Sequence, residues 1–92
     1  MSLEKEAEIS EINKLIGMML RYIRKSIGMS HLEVANHIGK TELEISQYEY
    51  GLVEIPAAVI HLISQLFETR AAAFYLPLER PEVIKELLRE IE

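Results

Sequence analysis

The 92-residue chain has no cysteine, so it builds no disulfide framework and no thiolate metal site, and a reducing cytoplasm suits it. It has no aspartate either: all fifteen acidic side chains are glutamate, against ten lysines and arginines, for a net charge of −5. Its apolar runs fall far short of the roughly 20 residues a membrane span needs. The first residues lack the order of a secretory signal, so a cytoplasmic location is expected. There is no Gly-rich phosphate loop and no nucleophile elbow, and His31, His37 and His61 sit at no metal-ligand spacing. The expectation is a protein without catalytic activity, cofactor or metal. Strand-like alternation, internal repeats and low-complexity segments do not stand out.

What is present is a globular composition, 49% apolar and 27% charged, of a length suited to one domain. Ile9, Ile12, Leu15, Ile16, Met19, Leu20, Ile23 and Ile27 recur at three- and four-residue spacings, which predicts one long helix from about Leu3 to Ile27, ended by Gly28. Ser10 or Gly17 is a place where it would break. Pro56 opens a helix apolar on most sides, from Ala57 to Phe67, expected at the centre of the core. Thr69 is expected to cap a further helix over about 70–76, stopped by Pro77, and Pro81 to open a last one.

The segment Gly28–Gly51 is the most informative. Ser30 precedes Glu33 by three residues and Thr41 precedes Glu44 by three, two matches to a capping box. Gly39 falls between them, where glycine takes the left-handed conformation that ends a helix. Two helices at roughly 31–38 and 42–49, joined by a short turn, outline a helix-turn-helix.

The residues around that outline extend the match. Gly17, Leu20, Arg21, Arg24, Gly28, Met29, Ser30, Val34, Ala35, Ile38, Gly39, Thr41, Ile45, Ser46, Tyr48, Glu49, Gly51 and Pro56 follow a spacing that resembles the Xre/Cro family of helix-turn-helix regulators. The likeness runs from Ile16 to about Phe74. It implies an all-α, five-helix phage-repressor-like domain with an additional C-terminal amphipathic helix. Residues 1–15 extend helix one, 16–76 form the DNA-binding domain, and 77–92 form a dimerisation helix. It further implies an ion pair of Arg24 with Glu49, and contact with double-stranded DNA through His31, Lys40, Thr41, Glu42, Leu43, Ser46 and Gln47. Arg21 and Lys25, with Lys40, would serve the phosphates. Gln47 suits a bidentate bond to adenine, and Ser46 suits a base or a phosphate. Small Ala35 fits a close helix crossing fixed by Val34, Ile38, Ile45 and Tyr48. The implied function is a bacterial or phage transcriptional regulator, nucleoid-associated and acting as a homodimer.

Charge sets up the competing reading. Residues 18–56 carry five glutamates against four cations, so the centre is near neutral and the flanks hold the acidic excess. Glu42 and Glu44 stand where phosphate would approach, and the Leu52-Val53-Glu54-Ile55 loop has no cation. A protein-binding module of antirepressor or antitoxin type, using Leu52, Val53 and Ile55, is the alternative on the same scaffold. In the tail, Val83, Ile84, Leu87, Leu88 and Ile91 share one helix face. That face either completes the core or pairs with a second copy across a two-fold axis, and the dimer is the favoured expectation. Phe74, Tyr75 and Leu76 would either join that interface or pack under helix one.

Overall fold

In the computed structural model, which describes residues 2–92, the first helix α1 runs unbroken from Leu3 to Ser26. The Ser2 hydroxyl accepts a bond from the Lys5 N–H at its start. Glu4 and Glu6 occupy its first turn and Arg24 and Lys25 its last, each sign placed to complement the helix dipole. Its 24 residues, about 36 Å at 1.5 Å per residue, account for the long dimension of a 37 × 28 × 22 Å molecule. Neither Ser10 nor Gly17 interrupts it.

Five more helical segments follow: α2 (His31–Ile38), α3 (Glu42–Glu49), α4 (Ala57–Leu66), a 3-10 helix (Ala71–Leu78) and α5 (Pro81–Ile91). Among the described residues the chain is therefore all-helical, and none of its helices is long and apolar enough to cross a membrane. The boundaries of α2 and α3 are those the capping boxes predict. Met1, the first residue of the expected extension, lies outside the described residues.

One core joins α1, α2, α3, α4 and the 3-10 helix through Leu20, Val34, Ala35, Ile45, Ile63 and Phe74, all sealed from solvent. A second, smaller cluster sets Ile84 and Leu88 of α5 against Leu15 of α1, with Met18, Met19 and Tyr22 around them. The two clusters lie on different sides of α1, which makes it the spine of the fold.

Four details depart from the expectations. Ile9 and Ile12 are exposed because the first half of α1 extends beyond the elements that cover Leu15–Arg24, and Ile27 is exposed at its other end. Helix α4 buries Val59, Ile60 and Ile63 but leaves Ala57, Ala58, His61 and Leu62 in water, so it closes one side of the core and is not its centre. Residues 71–78 wind as a 3-10 helix with Pro77 inside it and buried. An α-turn across Pro77 would press its ring on the carbonyl four residues back, and the tighter winding places Phe74 and Pro77 inward instead. Finally, Thr69 makes no cap bond; Arg70 is the residue that precedes this helix.

Candidate nucleic-acid interface

The local chemistry of α2 and α3 fixes where each begins. At α2 the Glu33 N–H donates to the Ser30 hydroxyl at 3.0 Å, and the Ser30 N–H donates to the Glu33 carboxylate at 3.0 Å. At α3 the Glu44 N–H donates to the Thr41 hydroxyl at 3.1 Å and the Thr41 N–H returns a bond to Glu44 at 3.3 Å. Both capping boxes are complete. The bonds from the Ser30 backbone and hydroxyl hold the Glu33 carboxyl below its ordinary range, and those from Thr41 do the same for Glu44. Gly39 ends α2 at φ 70°, ψ 33°, and the Lys40 N–H closes the turn on the Ala35 carbonyl. Any side chain at that φ would be strained, which is why the turn needs glycine.

The end of α3 is fixed from a distance. Arg24 grips Glu49 with two nitrogens, Nε to Oε2 at 2.5 Å and Nη2 to Oε1 at 3.0 Å, while its third nitrogen donates to the Met29 carbonyl at 2.8 Å. Both side chains are buried, so this expected pair is an interior fork and not a solvated surface contact. The Tyr48 and Glu49 carbonyls lie against Gly17, where a Cβ would stand 2.2 Å from the Tyr48 oxygen. Gly51, at φ 68°, turns the chain directly over the Lys14 backbone, 2.6 Å from any Cβ it might carry.

Between these two anchors α3 turns Ile45, Tyr48 and Glu49 inward. Glu42 and Leu43 face water, Leu43 being 67% exposed, and Ser46 and Gln47 are half-buried. Ser46, Gln47, Leu43, Glu42 and the cap Thr41 thus come together along one short helix. Two of the three cations expected to serve phosphate are engaged elsewhere. Lys40 lies 3.6 Å from Glu44. Arg21 donates to Glu92 at 2.8 Å and stacks over the Tyr50 ring at 5.0 Å. Lys25 has no ion-pair partner among the described residues.

His31 also makes a contact inside the fold. Its Nε2 lies 2.9 Å from Glu49 Oε1, so it completes the Arg24–Glu49 cluster from α2. His37 and His61 are exposed and stand apart from this cluster.

The two apolar sets also divide. Ile84 and Leu88 are buried on α1, which leaves Val83 and Ile91 exposed and Leu87 half-buried at the edge of that contact. Phe74 is fully buried in the main core, whereas Tyr75 and Leu76 are exposed. Leu52 and Val53 are exposed, but Ile55 is only 7% exposed and belongs to the core, so it offers no surface to a partner. It is buried because the loop must turn inward to deliver Pro56 to the start of α4.

Sequence reasoning missed the His31–Glu49 bond, the contact at Gly17 and the stacking of Arg21 on Tyr50. No local spacing announces any of them. A scan against protein-family models matches none to this chain, and a search of curated proteins finds no match to it.

Proposed function

We propose that this chain is a sequence-specific DNA-binding regulator of the Xre/Cro helix-turn-helix type, with α3 as the helix that enters the major groove. The observation that carries this reading is the arrangement at Gly39. Two capped eight-residue helices meet at a left-handed glycine, and the second is anchored by Ile45, Tyr48 and Glu49 while Glu42, Leu43, Ser46 and Gln47 face out. A helix held this firmly from behind presents its front at a defined angle. Gln47 then reads adenine and Ser46 a base or a phosphate, and Glu42 accepts from cytosine. Exposed Val83 and Ile91, with half-buried Leu87 between them, supply the seam of a two-fold homodimer. A cytoplasmic, nucleoid-associated regulator without catalytic activity follows from the same reading.

Charge makes the mode of binding specific. With Arg24 buried, Arg21 on Glu92 and Lys40 beside Glu44, few cations remain for phosphate. Affinity then leans on base contacts, and its salt dependence is shallow, with a slope of roughly −1 to −3 per protomer. Selection from random DNA at about 50 mM salt is the test, because phosphate binding is strong there. Retention of no sequence rejects the reading. In the same assay Gln47→Ala relaxes preference at one base pair by about 1–3 kcal/mol and leaves the thermal midpoint unchanged.

A second reading has its own observation. Leu43, Leu52 and Val53 stand in water next to Glu42 and Glu54, with Leu52 71% exposed. A protein partner with an apolar, basic surface would cover them, as for an antirepressor or antitoxin module. Leu52→Ser abolishes such binding and leaves any DNA selection untouched.

A further inference from the structure

An open groove of about 730 Å³ lies between α1, the end of α3 and α5. In a chain of net charge −5 its rim is rich in cations: Lys14 and Arg21 from α1, Lys85 and Arg89 from α5. Lys14 has no ion-pair partner among the described residues, and Lys85 reaches Glu11 only at 4.0 Å. Arg89 pairs with Glu86 in full exposure, where such a contact holds little. Glu11 and Glu49 line the groove too; Glu11 faces Lys85, and both oxygens of Glu49 are taken by Arg24 and His31.

At the centre Arg21 stacks on Tyr50 and holds the Glu92 carboxylate at 2.8 Å. Tyr50 remains 52% exposed and lines the groove with Met18. A guanidinium already holding a carboxylate next to an open aromatic ring is the recognition chemistry of an aromatic acid. The volume falls within the roughly 300–1,000 Å³ of small-molecule sites.

We infer that this groove is a binding site for a small aromatic carboxylate. The ligand's carboxylate displaces Glu92 from Arg21, its ring packs on Tyr50 and Met18, and Lys14 and Lys85 supply the surrounding positive field. Glu92 is thus an internal competitor that occupies the anion position in the free protein. The Tyr50 N–H donates to the Ser46 carbonyl at 3.1 Å, so the ligand touches the last turn of the helix that carries Ser46 and Gln47. Control of DNA binding by this ligand rests on the function proposed above; occupancy of the groove does not.

The test titrates the full chain with 2-naphthoate, without DNA, and follows backbone amide shifts by NMR. Saturable shifts confined to α1, Tyr50 and α5 are expected, with a dissociation constant of about 1 mM or tighter. Arg21→Ala weakens binding about tenfold or more, and uncharged 2-naphthalenemethanol binds weaker by a similar factor. Glu92→Gln tightens it by roughly three- to tenfold, as removal of a competing carboxylate requires. Absence of saturable shifts in the groove overturns the site, and so does unchanged or weaker binding to Glu92→Gln. If naphthoate titrates the groove but no DNA sequence is selected, the proposed function falls and the site stands. If DNA is selected and naphthoate does not titrate, the site falls and the function stands.

Discussion

At its start α3 is held by Thr41, Glu44 and Lys40, close neighbours in sequence that meet at or near the surface. At its end it is held by Arg24, 25 residues away, and by the close passage of Gly17 and Gly51 against backbone. The first set of bonds decides where the helix begins and the second decides where it sits in the molecule. Local bonds in water are individually weak and replaceable, whereas a buried fork tolerates no one-sided substitution and a close backbone contact tolerates no added side chain. The position of α3 needs both, but its orientation comes from the buried end.

Breaking the buried end should therefore cost the most. Glu49→Ala strands the Arg24 guanidinium in the interior and is expected to lower stability by about 3–5 kcal/mol. Urea unfolding at neutral pH checks it, and a cost under about 1 kcal/mol means that the fork does not dominate. Replacing Arg24 and Glu49 together by Met and Leu recovers part of the loss, since neither buried charge is left without the other, although the Met29 carbonyl and His31 lose their partners.

Gly17→Ala comes next. Helix propensity alone favours alanine there by about 1 kcal/mol. The new Cβ, however, meets the Tyr48 oxygen at 2.2 Å, so α1 and α3 must part, at a cost of about 1–3 kcal/mol or more. The sign of the change separates the two effects: stabilisation would remove this contact from the account of how α3 is placed.

The surface end answers more softly. Thr41→Ala is expected to cost about 1 kcal/mol through loss of the cap. Its pH signature is the sharper readout. The Thr41 bonds lower the Glu44 carboxyl below its ordinary 4.5 in the folded chain, so their contribution is complete above that value and disappears as pH falls through the lowered one. Thermal midpoints measured from about pH 6 to pH 3 should fall less steeply in Thr41→Ala than in the parent. Parallel curves would show that the capping box carries no such proton linkage.

The same division explains how much of the molecule was legible beforehand. Ser30–Glu33 and Thr41–Glu44 act over three residues, so the bounds of α2 and α3 could be read from spacing alone. The Arg24–Glu49 pair was reached through family resemblance, and that resemblance says nothing of His31 turning inward to join it. Gly17 read as a weak point in a helix because its partner, the Tyr48 carbonyl, lies on another element. The tail stripe shows a different limit. Periodicity groups Val83, Ile84, Leu87, Leu88 and Ile91 on one face, yet α1 takes only Ile84 and Leu88, because a cylinder packed on a cylinder covers a strip narrower than the apolar face. In Ala71–Leu78, propensity favours an α-helix and one proline overrules it.

The unequal cover along α1 has a dynamic consequence. Between Leu15 and Arg24 the helix feeds side chains into both clusters, while Leu3–Ile12 are exposed and, beyond their own helix bonds, have only surface ion pairs such as Lys5–Glu8 and Glu11–Lys85 to hold them. The outer turns can therefore fray and re-form at almost no free-energy cost, and the inner turns open only when the whole fold does. One continuous rod is thus two cooperative units. Amide exchange along it should step down sharply near Lys14, where Gly51 clasps its backbone.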